Sequence, residues 1–158
     1  MIRAATPTDI AAIADLWNRM IRDTTATFTT EEKSSAALAT MLQDRPDAVW
    51  IADHGGVAGF ITWGPFRTGP GYARTIEHTI ISGKEGQGTG TALIQHARLT
   101  AAAQGYHAMI AAISGENQAA QRFHARHGFE KVGHLPQVGH KAGRWLDLIL
   151  MQKTLESH

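Results

Sequence analysis

The sequence predicts one α/β domain over residues 1–158, and two observations carry that prediction. From Ile76 onward a β-rich run, a glycine turn, an Ala/Leu/Ile-bearing helix, a continuous apolar strand and a further helix follow one another, the order of a crossover unit in an α/β layer. Before it, apolar residues recur at helical spacing between Ile10 and Ile21 and then form two β-rich runs joined by a glycine turn. With 43% apolar and 18% charged residues, the composition is that of a globular chain with an ordinary core. A net charge of +1 gives no footing for nucleic acid or an anionic membrane. The absence of cysteine removes thiol catalysis, disulfides and thiolate metal sites. No apolar run nears the ~20 residues of a membrane span. Met1-Ile2-Arg3 leads straight into a strand and not into a signal peptide, so a cytoplasmic enzyme or binding protein is expected.

In chain order, Ile2 to Ala5 is a short strand stopped at Thr6-Pro7. Thr6 and Asp9 have capping-box spacing, and Pro7 sits at the first helical position, where its missing N–H costs nothing. Ile10, Ile13, Ala14, Trp17, Met20 and Ile21 then mark one buried helix face, with Trp17 and Met20 expected in the core more than in a pocket. Asp23 to Thr30 breaks that periodicity with threonines and Phe28 and reads as a loop, the kind of segment on which ligand contacts tend to sit. A second helix is expected from Glu31 to Gln43, ending before Pro46.

Val49–Asp53 and Val57–Trp63 pair through His54-Gly55-Gly56 as a hairpin. The next stretch, Gly64 to Tyr72, is too broken by Gly and Pro for core. Its Arg67, together with Arg74, suits a substrate carboxylate because guanidinium bonds it through two N–H groups. Ala73 to Ser82 is a strand containing Glu77, a carboxylate among Ile76, Thr79, Ile80 and Ile81 that strand propensity disfavours. Glu77 either faces solvent or lies in a half-dry cleft, where a raised pKa would make it a useful base. His78 alternates to the other face unless a bulge intervenes.

Glycines at 83, 86, 88 and 90 follow that strand and open a helix over Thr91–Gln104. Backbone N–H groups at such a turn, uncrowded by Cβ atoms, suit a phosphate. The spacing is neither that of the P-loop nor that of the dinucleotide fingerprint. Ala108–Ile113 reads as a strand buried on both faces, Asn117 precedes a helix that His127-Gly128 closes, and Phe129–Gly133 and Trp145–Gln152 read as the last strands with residues 135–144 between them.

Glu85-Gly86-Gln87-Gly88-Thr89-Gly90 resembles the Q/R-x-x-G-x-G/A signature of the GNAT superfamily of N-acetyltransferases, with Glu85 in place of Gln or Arg. Asn117, Ala120 and Phe123-His124-Ala125-Arg126-His127-Gly128-Phe129 resemble its pantetheine-binding segment. His124, where much of the superfamily has Tyr, narrows the likeness to the phosphinothricin and methionine sulfoximine N-acetyltransferases. Four further stretches look like that branch: Thr24–Phe28, Gly64-Pro65-Phe66, Ile76–Thr79 and Pro136–Asp147.

The resemblance implies a central mixed, mostly antiparallel sheet of six to seven strands flanked by about four helices. It implies acetyl-CoA as co-substrate, held by Ile80, Ile81, Ser82, Glu85, Gly86, Gln87, Gly88, Thr89, Gly90 and Asn117. It implies Glu77 as the base that frees the amine, His124 as the acid toward the departing thiolate, and a backbone N–H near Ile80 polarising the thioester carbonyl. The amine, a small amino-acid analogue, is expected against Phe28, Pro65, Phe66, Arg67, Arg74 and Glu77, with Lys141 and Arg144 reaching in from the partner of a homodimer. No metal is expected, since H-E-x-x-H and Cys ligands are both missing. The competing expectations are another amine, such as a polyamine or a protein N-terminus, and a CoA-binding regulatory module without chemistry.

Overall fold

The computed structural model describes residues 1–83 and 88–156. The elements are β1 (Ile2–Ala4), α1 (Ile10–Asp23), α2 (Ser35–Asp44), β2 (Val49–Asp53), β3 (Val57–Pro65), β4 (Thr75–Ser82), α3 (Thr89–Ala103), β5 (Ala108–Ser114), α4 (Gln118–Arg126), β6 (Glu130–Lys141) and β7 (Arg144–Thr154), with 3₁₀ turns at Pro7–Asp9 and Pro70–Tyr72. The seven strands form one sheet in the order β1-β2-β3-β4-β5-β7-β6. Among the described residues only β4 and β5 pair in parallel, and α3 is their crossover. The mixed, mostly antiparallel sheet with four helices is the one expected.

The pleat sorts the side chains into two cores. One packs α3 on the sheet through Trp63, Ile76, Leu93, Ile94, Ala97 and Met109. The other packs α1 and α2 on the opposite face through Ile13, Leu38, Ile51, Phe60 and Ile81. Entry into α1 is fixed by charge as well as by burial. Asp9 accepts from the Thr6 N–H at 2.8 Å and takes a two-pronged grip from Arg3 at 2.8 and 2.9 Å, while Arg3 Nε donates to Asp53.

Three expectations change. The second helix begins at Ser35 and not at Glu31. The Asn18 side chain accepts from the Lys33 N–H at 2.6 Å and donates to the Lys33 carbonyl at 3.0 Å, which holds that residue in an extended path. Ser34 then caps the helix by accepting from the Ala37 N–H at 3.1 Å. The segment 135–144 is not a connection, since β6 runs to Lys141 with register shifts between Lys131 and Gly133 and between Leu135 and Gly139. The turn is Ala142-Gly143, both at positive φ (55 and 72), which suits a two-residue hairpin. In β5, Ala112 is exposed although its strand neighbours are buried, because the sheet opens there.

Candidate active site

The site is a gap in the sheet. β4 and β5 pair only at Thr75–Ala108, Ile76–Met109 and Glu77–Ile110. Beyond them β4 stays on β3 as far as Ser82, and β5 stays on β7 as far as Ser114, so the two strands part. The opening contains a cavity of about 330 Å³ lined by Glu77, Phe28, Trp17, Lys33, His78 and Ser114 among others. A second cavity of about 550 Å³ continues it over Ser82, Gly88, Thr89, Gly90, Thr91, Arg122 and Arg126 at the start of α3. Ile80, Asn117, Ala120 and His124 line both, so the two form one cleft running from the Glu77 carboxylate to a helix N-terminus.

β3 and β4 pair without a register shift, so Glu77 and His78 face opposite layers of the sheet, as their adjacency demands. Both still reach the cleft, because the parted strands open it through the sheet. Glu77 is exposed to the cleft, and partial desolvation there still raises its carboxyl above the ordinary carboxylate value.

His78 and His124 are buried, and their Nε2 atoms lie 2.9 Å apart. His124 Nδ1 is 2.8 Å from the Ala120 carbonyl, which can only accept, so Nδ1 carries the proton. Neutral His124 therefore accepts at Nε2, and His78 donates. His78 Nδ1 is then left bare and buried, with no hydrogen-bond partner among the described residues, although the Ile110 backbone works against burial and raises the ring's pKa. Burial pushes the His78 imidazole down to about 3 and lowers that of His124, so both rings are neutral at neutral pH.

Asn117 caps α4 by accepting from the Ala120 N–H at 3.1 Å and lines both cavities. Gly88 adopts φ 71 as the residue before α3, and a Cβ on Gly90 would press the Phe123 ring at 3.2 Å. Helix-terminal N–H groups beside Arg122 and Arg126 suit the phosphates of a coenzyme A, so the cradle fits such a ligand. Ile81 turns into the α1 and α2 core and lines neither cavity. Glu85, Gly86 and Gln87 lie outside the described residues.

The expected amine-holding residues divide. Phe28 lines the cavity with its ring against Gly139. Pro65 and Arg67 line a separate cavity with Tyr72 and Tyr106; the Arg67 guanidinium lies 5.9 Å from the Tyr72 ring centre, and the Phe66 ring packs on Tyr72 at 6.3 Å. Arg74 donates to the Gly105 carbonyl at 3.0 Å. Lys141 is buried in its own chain, with Nζ donating at 2.8 Å to the carbonyls of both Ile21 and Thr27. Arg144 pairs with Glu116, which also accepts from Thr25. Sequence reasoning missed Lys33, Arg122 and Arg126. The two arginines were legible as an i, i+4 pair on one helix face; Lys33 had no such signal.

A sheet opened between two parallel strands, with a carboxylate at the fork and a helix N-terminus below it, is the frame of an acyl-transferring domain. The chain belongs to that class, since the acetyltransferase (GNAT) domain family matches residues 2–150. It is 36% identical to the L-methionine sulfoximine/L-methionine sulfone acetyltransferase of Pseudomonas aeruginosa over 98% of this chain and 94% of that one. It is 32% identical to the phosphinothricin N-acetyltransferase of Streptomyces coelicolor over 98% and 95% of the two chains. A phosphinothricin acetyltransferase from Sinorhizobium meliloti, crystallised with acetyl-CoA, superposes with TM-score 0.90 at 28% identity, covering 98% of this chain and 88% of that one.

Proposed function

We propose that this protein transfers the acetyl group of acetyl-CoA to the primary amine of a small amino-acid analogue of the methionine sulfoximine, methionine sulfone or phosphinothricin type. The observation that carries the proposal is the parting of β4 from β5 beyond Glu77 and Ile110, which joins a carboxylate-lined cavity to the α3 N-terminus in one cleft. The relatives' substrates and the neighbour's bound acetyl-CoA support it. A cavity of about 330 Å³ with Glu77 as its carboxylate suits one small amine better than a polyamine or a protein N-terminus.

In this reading Gly88, Thr89, Gly90, Ser82, Arg122 and Arg126 hold the coenzyme phosphates, the backbone at Ile80 and Ile81 and the Asn117 side chain line the acyl arm, and Phe28 packs on the amine substrate. Glu77 removes the first proton from the ammonium, through water, so that nitrogen can attack the thioester carbon, whose oxygen is stabilised by a backbone N–H near Ile80. As the C–N bond forms and the C–S bond breaks, nitrogen loses a second proton and sulfur gains one. His124 is assigned to carry that proton: its Nε2 takes it from nitrogen once the hydrogen bond from His78 is released, and gives it to sulfur. Holding both substrates together supplies much of the rate, and no acyl-enzyme is needed.

The protein works as a homodimer in the cytoplasm, where acetyl-CoA is available. Val132, Leu135, Val138 and Trp145, exposed on the edge hairpin of β6 and β7, are the apolar surface a second copy would cover.

The test is release of free CoA thiol when L-methionine sulfoximine or phosphinothricin is added to protein and acetyl-CoA. Thiol release that depends on the amine is the expected result. A protein that binds acetyl-CoA and releases no thiol with either amine overturns the proposal in favour of a binding module.

A further inference from the structure

Arg67 and Arg74, expected to hold the substrate carboxylate, and Lys141, expected to reach the pocket from a partner, are engaged elsewhere. Arg67 lies on Tyr72, Arg74 on the Gly105 carbonyl, and Lys141 on two carbonyls of its own chain. The amine cavity nevertheless holds a cation. Lys33 lines it, with its ammonium 4.8 Å from the Trp17 ring centre. Trp17 is in turn anchored on the buried Phe60 ring at 5.4 Å. The Lys33 backbone is held in both directions by the Asn18 side chain, at 2.6 and 3.0 Å. Core, indole, ammonium and cavity thus form a fixed sequence of contacts.

The neighbouring acid Glu32 pairs with Arg22, and among the described residues no carboxylate lies within ion-pairing distance of Lys33. A half-buried ammonium over an aromatic face, without a carboxylate partner and opening on a cavity, is a site for an anion. The same cavity carries Glu77, and its two histidines, His78 and His124, are neutral, so it offers one acid and one base to its occupant. That pattern complements a zwitterion, with the ammonium toward Glu77 and the carboxylate toward Lys33.

We propose that Lys33 is a specificity-determining residue that binds the α-carboxylate of the amine substrate, with Asn18 as its positioning residue. The inference rests on the acetyl-transfer reading above and assigns the carboxylate end of the same pocket. It makes the enzyme selective for free amino acids over the same amines with the carboxylate masked.

The experiment compares kcat/KM for L-methionine sulfone and for its methyl ester, measured by thiol release. The wild-type protein is expected to favour the free acid by roughly 10-fold or more, the scale of one charge-assisted hydrogen bond. Lys33→Met is expected to collapse that acid-to-ester ratio toward one, chiefly through KM for the acid, and Lys33→Arg to retain most of it. Asn18→Ala is expected to lower the ratio as well. A wild-type protein without preference for the acid, or a Lys33→Met protein that keeps the full ratio, overturns the assignment. Because the wild-type ratio is itself a test, the result does not depend on any variant folding. Failure to acetylate either compound would instead count against the acetyl-transfer reading.

Discussion

Glu77 and His78 are consecutive residues that serve two layers of one sheet, and the chemistry follows from that division. Desolvation raises the Glu77 carboxyl, so as a base it loses function as pH falls through a value above the usual carboxylate range. The expected pH profile of kcat/KM therefore has an acid limb displaced upward from that range. Glu77→Gln should remove the limb and lower kcat/KM by about 10²-fold or more while acetyl-CoA affinity persists. An unchanged limb in the variant would assign it to another group. For the histidine pair, His78→Leu removes the donor to His124 Nε2, whereas His78→Gln can keep one near the same place. The expected outcome is a lower kcat in the Leu variant and partial recovery in the Gln variant. In the wild-type protein, ¹⁵N shifts should show His124 protonated at Nδ1. Glu77 was visible in the sequence because a carboxylate inside a run of β-formers needs a reason. Lys33 was not, because its position depends on an amide 15 residues earlier that bonds its backbone, and no local pattern encodes such a contact.

Among the elements, the segment between α1 and α2 is one wall of the site, and it is pinned from β6. Lys141 satisfies the Ile21 carbonyl near the end of α1 and the Thr27 carbonyl one residue before Phe28. Phe28 lies so close to Gly139 that a Cβ there would collide with its ring. Lys141→Met should leave two carbonyls without their donor, cost about 1–3 kcal/mol, and raise KM for the amine more than for acetyl-CoA. Gly139→Ala should move Phe28 and raise the same KM with a smaller loss of stability. Urea unfolding and steady-state kinetics on both variants check this; equal effects on the two KM values would show that the wall is not set by β6. The threonine-rich break was legible as a loop carrying ligand contacts. Its anchoring was not, because Pro136, Gly139 and Gly143 read as a connection, whereas bulges allow β6 to continue to Lys141.

For the whole molecule, the order of elements fixed the architecture, since a helix between two parallel strands forces α3 across the sheet. What sequence could not show was where β4 and β5 stop pairing, because three rungs and five rungs of a ladder use the same residue types. Buried neutral imidazoles line that opening, and they set how the protein responds to acid. The folded pKa of His78 lies near 3, against about 6.5 unfolded, and that of His124 is lowered too. A depressed histidine gives stability that is complete above the unfolded pKa and declines as pH falls below it, because the unfolded chain takes up the proton. Between pH 6.5 and 5, His78 alone should remove about 2 kcal/mol. The lowered carboxylates, Asp9, Asp53, Glu116 and Asp147, give up their contribution only as pH falls below the ordinary carboxylate range, so they are silent in this window. Glu77, with its raised carboxyl, acts in the opposite sense and can only soften the decline. Unfolding free energies measured in urea at pH 7 and pH 5 should therefore fall together with proton uptake on unfolding, and His78→Gln should flatten the slope by close to one proton. A slope that the substitution leaves unchanged would mean that His78 already carries its proton in the folded protein, and the neutral pair at the fork of the sheet would have to be abandoned.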